Sequence, residues 1–138
     1  MKKDSYNLEI LKKWISKKGY TVNESASLSD EIDFFAKEIT INKNQTSKNK
    51  LYSLLHEAGH LMISNNINSF LNFVPLYPNH LYDGRTMRSR KYKVSVLCEE
   101  IEAWKKGMRI AKRLNIELDK DDYLDYMSKN VWTYIKYH

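Results

Sequence analysis

The sequence has 138 residues, of which 42% are hydrophobic and 29% charged, a balance typical of one globular domain and not of a disordered chain. Its formal net charge of +6 favours acidic partners, but the basic residues are spread along the chain, so nucleic-acid binding is not favoured. The single cysteine, Cys98, excludes an internal disulfide and is typical of a cytoplasmic protein. The sequence shows no pattern of a signal peptide, and no stretch of about 18 apolar residues predicts a membrane span.

The first third of the chain predicts one helix followed by a small sheet. Apolar residues at helical spacing predict a helix over residues 5–18, which Gly19 ends. Residues 20–22 resemble a short strand, and the β-prone runs 32–35 and 39–41 predict a hairpin with its turn at residues 36–38. The hairpin leads directly into the next helix, where it would either receive an extended substrate by strand addition or only cap the helices.

The next predicted helix covers residues 47–64, with Thr46 or Ser47 as its N-cap, and carries the motif His56-Glu57-x-x-His60. Residues four apart lie on one face of a helix, so the two imidazoles can bind the same metal ion. Glu57 lies beside them, where a general base would take a proton from the water that zinc activates. The alternative is a pair of surface histidines that binds no metal.

This helix is predicted to be covered on both sides. Leu51, Leu54 and Leu55 belong to an apolar stripe that faces a core, whereas the histidines lie on the opposite face near apolar neighbours. Gly59 costs a helix about 1 kcal/mol relative to Ala. Its position therefore indicates that another backbone packs closely there.

A long loop is predicted over residues 65–91, because this segment contains both prolines and no sustained periodicity. The loop would carry a substrate pocket, or its aromatic residues would pack over the core. His80, Tyr82 and Tyr92, in the loop or just after it, are candidate donors to the oxyanion of a hydrolytic transition state.

Two helices are predicted to follow the loop. The first covers residues 92–114 with Asn115 as its C-cap, and the last runs from Asp119 or Asp121 to Ile135. The apolar stripe of the first of these helices comprises Val94, Leu97, Ile101, Trp104, Met108 and Ala111.

A third zinc ligand is expected, because catalytic zinc binds three protein side chains and a water. The one acidic residue between His60 and Glu99 is Asp83, in the long loop near His80, and the helix over residues 92–114 then offers Glu99, Glu100 and Glu102. With the stripe that contains Leu97 as the core face, Glu100 borders this stripe, whereas Glu99 and Glu102 face the solvent. Glu100 is therefore the candidate ligand. The alternative is a boundary carboxylate that reaches out to water.

The motif His56-Glu57-x-x-His60, followed by Glu100-x-x-Ala103, resembles the gluzincin class of zinc metallopeptidases. In that class a Glu on a downstream helix is the third zinc ligand. The resemblance implies that His56, His60 and Glu100 bind Zn²⁺ and that Glu57 is the catalytic base.

The hairpin and the short chain are most similar to minimal ImmA/IrrE-type metallopeptidases and related phage or mobile-element proteins. Such proteins often act on a transcriptional repressor, so the resemblance implies cleavage of a specific protein or peptide. The sequence departs from the usual pattern at Trp104, which stands where an Asp or Asn would orient a ligand imidazole.

We therefore predict a single domain over residues 1–138, with a mainly helical α+β fold and a small hairpin or sheet beside the motif helix. The predicted function is zinc-dependent hydrolysis of a specific protein or peptide substrate in the cytoplasm. One alternative is a catalytically silent zinc-binding protein with a structural or regulatory role. Another is a nucleic-acid-associated factor that uses the positive charge.

Overall fold

The structure, a computed structural model, describes residues 2–26, 29–66 and 90–137. These residues form four helices and a three-stranded sheet. The elements are α1 (Lys2–Lys17), β1 (Thr21–Ser25), β2 (Glu31–Asp33), β3 (Glu38–Asn42), α2 (Ser47–Asn65), α3 (Arg90–Arg113) and α4 (Lys120–Tyr137). They confirm the predicted mainly helical α+β fold. The predictions for the long loop, His80 and Tyr82 lie outside the described residues, and none of the described helices is apolar over a length that would cross a membrane.

The sheet has β3 at its centre, antiparallel to β2 and parallel to β1. The β2–β3 pair confirms the predicted hairpin, but β2 ends at Asp33, so Phe34 and Phe35 lie in the turn and not in the predicted strand. Its turn is fixed by Asp33, whose Oδ1 accepts hydrogen bonds of 3.0 Å from the backbone N–H groups of Phe35 and Ala36. Ile39 and Ile41 point from β3 into the core, and both are fully buried. The parallel pairing of β1 is not predicted from the sequence, which gives only a short strand without a partner.

Helix α2 packs against α1, α3 and the sheet. Thr46 is its N-cap, as predicted, because the threonine side chain accepts a hydrogen bond of 3.1 Å from the backbone N–H of Asn49. Leu51, Leu54 and Leu55 are at most 1% exposed, which confirms the predicted core stripe. The opposite face of α2 is thereby left for the histidines.

The contact between α2 and α3 is close because a glycine stands on each helix. A Cβ atom on Gly59 would overlap the backbone carbonyl of Ala103, and one on Gly107 would lie 2.7 Å from the carbonyl oxygen of Leu55. The prediction that another backbone packs on Gly59 is confirmed. This close contact brings side chains of α3 within reach of the histidines on α2.

The face of α3 that is buried agrees with the predicted apolar stripe in the second half of the helix, where Trp104 and Ala111 are buried, but not at its start. Its buried residues are Ala103, Trp104, Gly107, Ile110 and Ala111. Val94, at the start of the predicted stripe, is 58% exposed. The prediction was wrong in the first half of the helix because it followed large apolar side chains, whereas small residues make the close contact with α2.

The connection from α3 to α4 has the predicted end signals. Asn115 adopts a positive φ of 58° after the last turn of α3. Asp119 is the N-cap of α4, because its Oδ1 accepts a hydrogen bond of 3.1 Å from the backbone N–H of Asp122. Helix α4 is fixed to α3 by Tyr123, which is fully buried and donates a 2.7 Å hydrogen bond to the carbonyl oxygen of Trp104.

Candidate metal centre

Two helices bring the three predicted ligands together. His56 and His60 lie one turn apart on α2, and Glu100 faces them from α3. Nε2 of His56 lies 2.9 Å from Oε2 of Glu100, and Nε2 of His60 lies 3.0 Å from Oε1 of the same carboxylate. One ligand atom from each of the three residues falls within 4.8 Å of the other two. Two imidazole nitrogens and a carboxylate therefore converge on one point.

The hydrogen bonding of this cluster fits a metal ion. Nε2 of His56 is buried and makes no hydrogen bond, although it lies so close to the carboxylate of Glu100. A buried polar atom without a hydrogen bond is costly, by about 1–3 kcal/mol. A cation bound between the three side chains would satisfy this nitrogen. Two histidines and one glutamate are also a donor set of catalytic zinc sites with an open position for water.

The charges in the cluster favour an ionised carboxylate at Glu100. Burial alone would raise the pKa of Glu100, but the two imidazoles that face it outweigh burial and hold this pKa below the usual range. For His60 the effects are reversed: burial alone would lower its pKa, but the carboxylates of Glu100, Glu99 and Glu57 outweigh burial and raise this pKa to about 10 when no metal is present. A metal ion that binds here must displace the proton from His60, so metal binding releases a proton.

Glu57 lies beside the two imidazoles and is only 4% exposed. Its Oε1 lies 3.6 Å from Nδ1 of His56. Burial raises the pKa of Glu57, against the opposing effect of His56 and His60. A carboxylate whose pKa is raised accepts a proton more readily near neutral pH, which suits a general base.

The two imidazoles are oriented in different ways. Nδ1 of His60 lies 3.8 Å from Oε1 of Glu99 on α3. The ring of His56 is stacked on the indole of Trp104, with ring centroids 4.2 Å apart and an angle of 8° between the planes. Trp104, which departs from the gluzincin pattern, therefore contacts the predicted ligand His56 through its aromatic face.

The predicted position of Glu99 was wrong. Its side chain is 23% exposed and faces His60, whereas the sequence places it in solvent. The error follows from the choice of Leu97 as the reference for the core face, since the buried face of α3 runs through Ala103 and Gly107. Glu102, predicted to face solvent as well, lies 3.8 Å from Lys106 and from Arg109 at the surface of α3.

A cleft of about 280 Å³ opens beside this cluster and is called the metal cleft below. It is lined by Asp30, Glu31, Ile32 and Phe34 on one side and by Glu57, His60, Glu99 and Glu100 on the other. The edge strand β2 thus lies beside the site, as the predicted hairpin requires. The sequence did not predict that Asp30 and Glu31 line this cleft, although both lie in or next to the short polar segment before the hairpin.

Of the predicted oxyanion donors, Tyr92 is the one described residue, and it is half-buried on the first turn of α3.

No protein-family model, no curated protein and no solved structure matches this chain. The motif and the geometry of the metal cleft are therefore the features of this chain that indicate a function.

Proposed function

We propose that this protein is a zinc-dependent peptidase of the gluzincin type, which hydrolyses a specific protein or peptide substrate. The observation that carries the proposal is the convergence of the Nε2 atoms of His56 and His60 on the carboxylate of Glu100. Glu57, buried beside them on the same helix, supplies the base that a purely structural site would not need.

His56, His60 and Glu100 would hold the zinc ion. When bound, zinc polarises a peptide carbonyl and lowers the pKa of a water molecule to about 7. Glu57 takes one proton of the attacking water on its carboxylate while the water oxygen forms a bond to the carbonyl carbon. Glu57 then gives this proton to the amide nitrogen as the C–N bond breaks, which leaves a carboxylic acid, an amine and an unprotonated Glu57. The carboxylic acid keeps the second proton of the water and then loses it to the amine, so the final products are a carboxylate and an ammonium group.

The residues around the cluster support a fixed geometry for this reaction. The stack of Trp104 on His56 and the approach of Glu99 to His60 restrict the orientation of both imidazoles. Both histidines stand on a helix whose other face is fully buried, so the site is built on a rigid element.

The resemblance to ImmA/IrrE-type metallopeptidases supports a narrow role for the proposed enzyme. By this resemblance the substrate is one partner protein, such as a transcriptional repressor. The single cysteine, Cys98, favours the cytoplasm as the place of the reaction. A membrane partner has no part in the proposal.

Metal analysis and cleavage mapping together test the proposal. The purified protein is expected to carry about one zinc per chain. A peptide library made from a bacterial proteome is then incubated with the wild type and with Glu57→Gln, and new N-termini are mapped by mass spectrometry. Cleavage at a restricted set of sites, by the wild type only and blocked by a chelator, supports the proposal. Bound zinc without any cleavage by the wild type would favour the catalytically silent, structural or regulatory alternative.

A further inference from the structure

The metal cleft carries a charge opposite to that of the whole protein. Five carboxylates line it, from Asp30, Glu31, Glu57, Glu99 and Glu100, and none of the described residues that line it is Lys or Arg. The chain as a whole has a formal net charge of +6. A substrate attracted by the overall charge would be acidic, whereas one that fits the cleft would be basic at the point of contact.

Three of these carboxylates remain after the metal site has used its own. Glu100 and Glu57 belong to the ligand and base positions described above, which leaves Asp30, Glu31 and Glu99. Asp30 accepts a 2.8 Å hydrogen bond from the backbone N–H of Asn42, so its carboxylate is fixed. Glu31 is exposed on the edge strand β2. Within the described ranges, none of the three forms an ion pair with Lys or Arg. Glu99 lies 3.8 Å from Nδ1 of His60 and also lines the cleft, so it can contact a bound molecule beside Asp30 and Glu31.

Aromatic side chains lie at the same side of the cleft. Phe34 lines the metal cleft and is 43% exposed, and its neighbour Phe35 is fully exposed at the tip of the β2–β3 turn. The turn is held by the two hydrogen bonds to Asp33, so both rings start from a fixed backbone. Exposed aromatic rings on a fixed turn are a suitable contact for an apolar side chain of a ligand.

We propose that the metal cleft selects peptide segments in which a basic side chain and an apolar side chain occur close together. The basic side chain pairs with Asp30, Glu31 and Glu99, and the apolar one packs on Phe34. As a statement about cleavage this selectivity rests on the proposed peptidase function, but as a statement about binding it can be measured alone.

The test uses labelled peptides and fluorescence anisotropy. The probe is a fluorescein-labelled peptide in which arginine alternates with leucine, and its two matched partners carry glutamate in place of arginine or serine in place of leucine. Binding is measured on zinc-supplied protein with Glu57→Gln, so that cleavage does not consume the probe. The arginine–leucine probe is expected to bind at least about tenfold more tightly than the glutamate–leucine probe, since each charge pair is worth up to about fivefold.

Two charge reversals on the sheet distinguish an effect of the cleft on probe binding from an effect of the overall charge. Glu31→Lys is expected to weaken binding of the arginine–leucine probe about fivefold, whereas Glu38→Lys, a reversal at another exposed position, on β3 outside the cleft, changes it less than about twofold. Phe34→Ala should weaken binding of the arginine–leucine probe but not of the arginine–serine probe.

The inference is overturned if the glutamate probe binds as tightly as the arginine probe, if the two lysine variants behave alike, or if no probe binds at millimolar protein. The wild type is incubated with the same probes to follow cleavage. Selective binding without cleavage leaves the selectivity standing and counts against the peptidase proposal. Equal cleavage of the arginine and glutamate probes supports the peptidase and overturns the selectivity.

Discussion

The imidazole of His56 lies flat on the indole of Trp104, with ring centroids 4.2 Å apart and planes inclined by 8°. The indole is 2% exposed, and the backbone of Trp104 is held by the hydroxyl of Tyr123, which donates to its carbonyl oxygen. A ligand histidine is more often fixed by a hydrogen bond from its second nitrogen to a carboxylate or carbonyl. Here stacking restricts the tilt of the His56 ring, so in the proposed metal site Trp104 would position this histidine and would not itself be a ligand.

Replacing Trp104 should therefore weaken metal binding without removing a ligand. Trp104→Leu is expected to lower the zinc affinity about tenfold, within the range for groups that orient ligand histidines, and Trp104→Phe should recover most of it. The affinity is measured by competition with a chromophoric chelator, and the d–d spectrum of the Co²⁺-substituted protein reports the ligand geometry. Trp132→Leu is the control, because Trp132 is 63% exposed on α4. If the zinc affinity and the Co²⁺ spectrum were unchanged in Trp104→Leu, the stack on His56 would contribute to packing only and not to metal binding.

The carboxylates of α3 should differ in their effect on metal binding. His60→Ala should abolish zinc binding, and among the carboxylates of α3 Glu100→Gln is expected to weaken it most, because both substitutions remove a converging ligand atom. Glu99→Gln should weaken it a few-fold, since Glu99 contacts Nδ1 of His60. Glu102→Gln should have no effect. Zinc content after dialysis ranks the variants, and a loss of zinc in Glu102→Gln greater than in Glu100→Gln would contradict the assignment.

Local spacing was enough to predict that the two histidines lie together with Glu57 beside them. His56 and His60 are four residues apart, and this spacing fixes their relative position on any helix. Glu100 was also predicted, because it lies close to the buried face of α3 under either choice of that face. Helix ends such as Thr46 and Asn115 were predictable for the same reason, since caps depend on neighbouring residues only.

Features that depend on contacts between distant segments were not predictable. Glu99 was misplaced because the orientation of α3 is set by the contact of Gly59 with Ala103, in which neither residue is strongly hydrophobic. The stack of Trp104 on His56 follows from the same contact. The parallel pairing of β1 with β3 joins segments on either side of β2, and nothing in the local sequence of either strand indicates it.

The close helix contact predicts a large effect of one methyl group. Gly59→Ala is expected to lower the free energy of unfolding by about 3 kcal/mol, at the upper end of overpacking effects, because its Cβ would overlap the carbonyl of Ala103. Gly19→Ala is the matched control: its methyl group meets open space, and only the positive φ of 87° costs about 1 kcal/mol. Urea denaturation gives both values. Equal losses in the two variants would contradict the role of the helix contact.

Glu24 should contribute a pH-dependent part of the stability. Lys50 lies 2.6 Å from its Oε1 and Lys12 lies 3.1 Å from its Oε2, so the carboxylate joins β1 to α2 and α1. The hydrogen bond from Lys50, with Lys12, lowers the pKa of Glu24 against the opposing effect of burial. The stabilisation is present above the unfolded-state pKa of about 4.3 and is lost as the pH falls through the lowered folded-state pKa.

This contribution is measured as the difference between the wild type and Glu24→Gln. At neutral pH the variant should be less stable by about 0.5–1 kcal/mol, a modest value because the group is partly exposed. The difference should disappear in acid, below both pKa values. Urea denaturation over a range of pH tests this, and a difference that stays constant into acid would show that the effect is not ionic.

Glu57→Gln should separate catalysis from metal binding. The amide keeps the shape of the buried side chain but cannot accept the proton of the attacking water, so turnover should fall at least about 10²-fold. Zinc should remain bound, because the ligand atoms come from His56, His60 and Glu100. Zinc should also still raise the melting temperature of the variant, since a ligand that binds only the folded state stabilises it.

Turnover is followed on a peptide identified by cleavage mapping, with zinc content and melting temperature measured on the same preparation. Loss of zinc together with activity would make Glu57 part of the binding site, whereas full activity in Glu57→Gln would require a base elsewhere in the cleft.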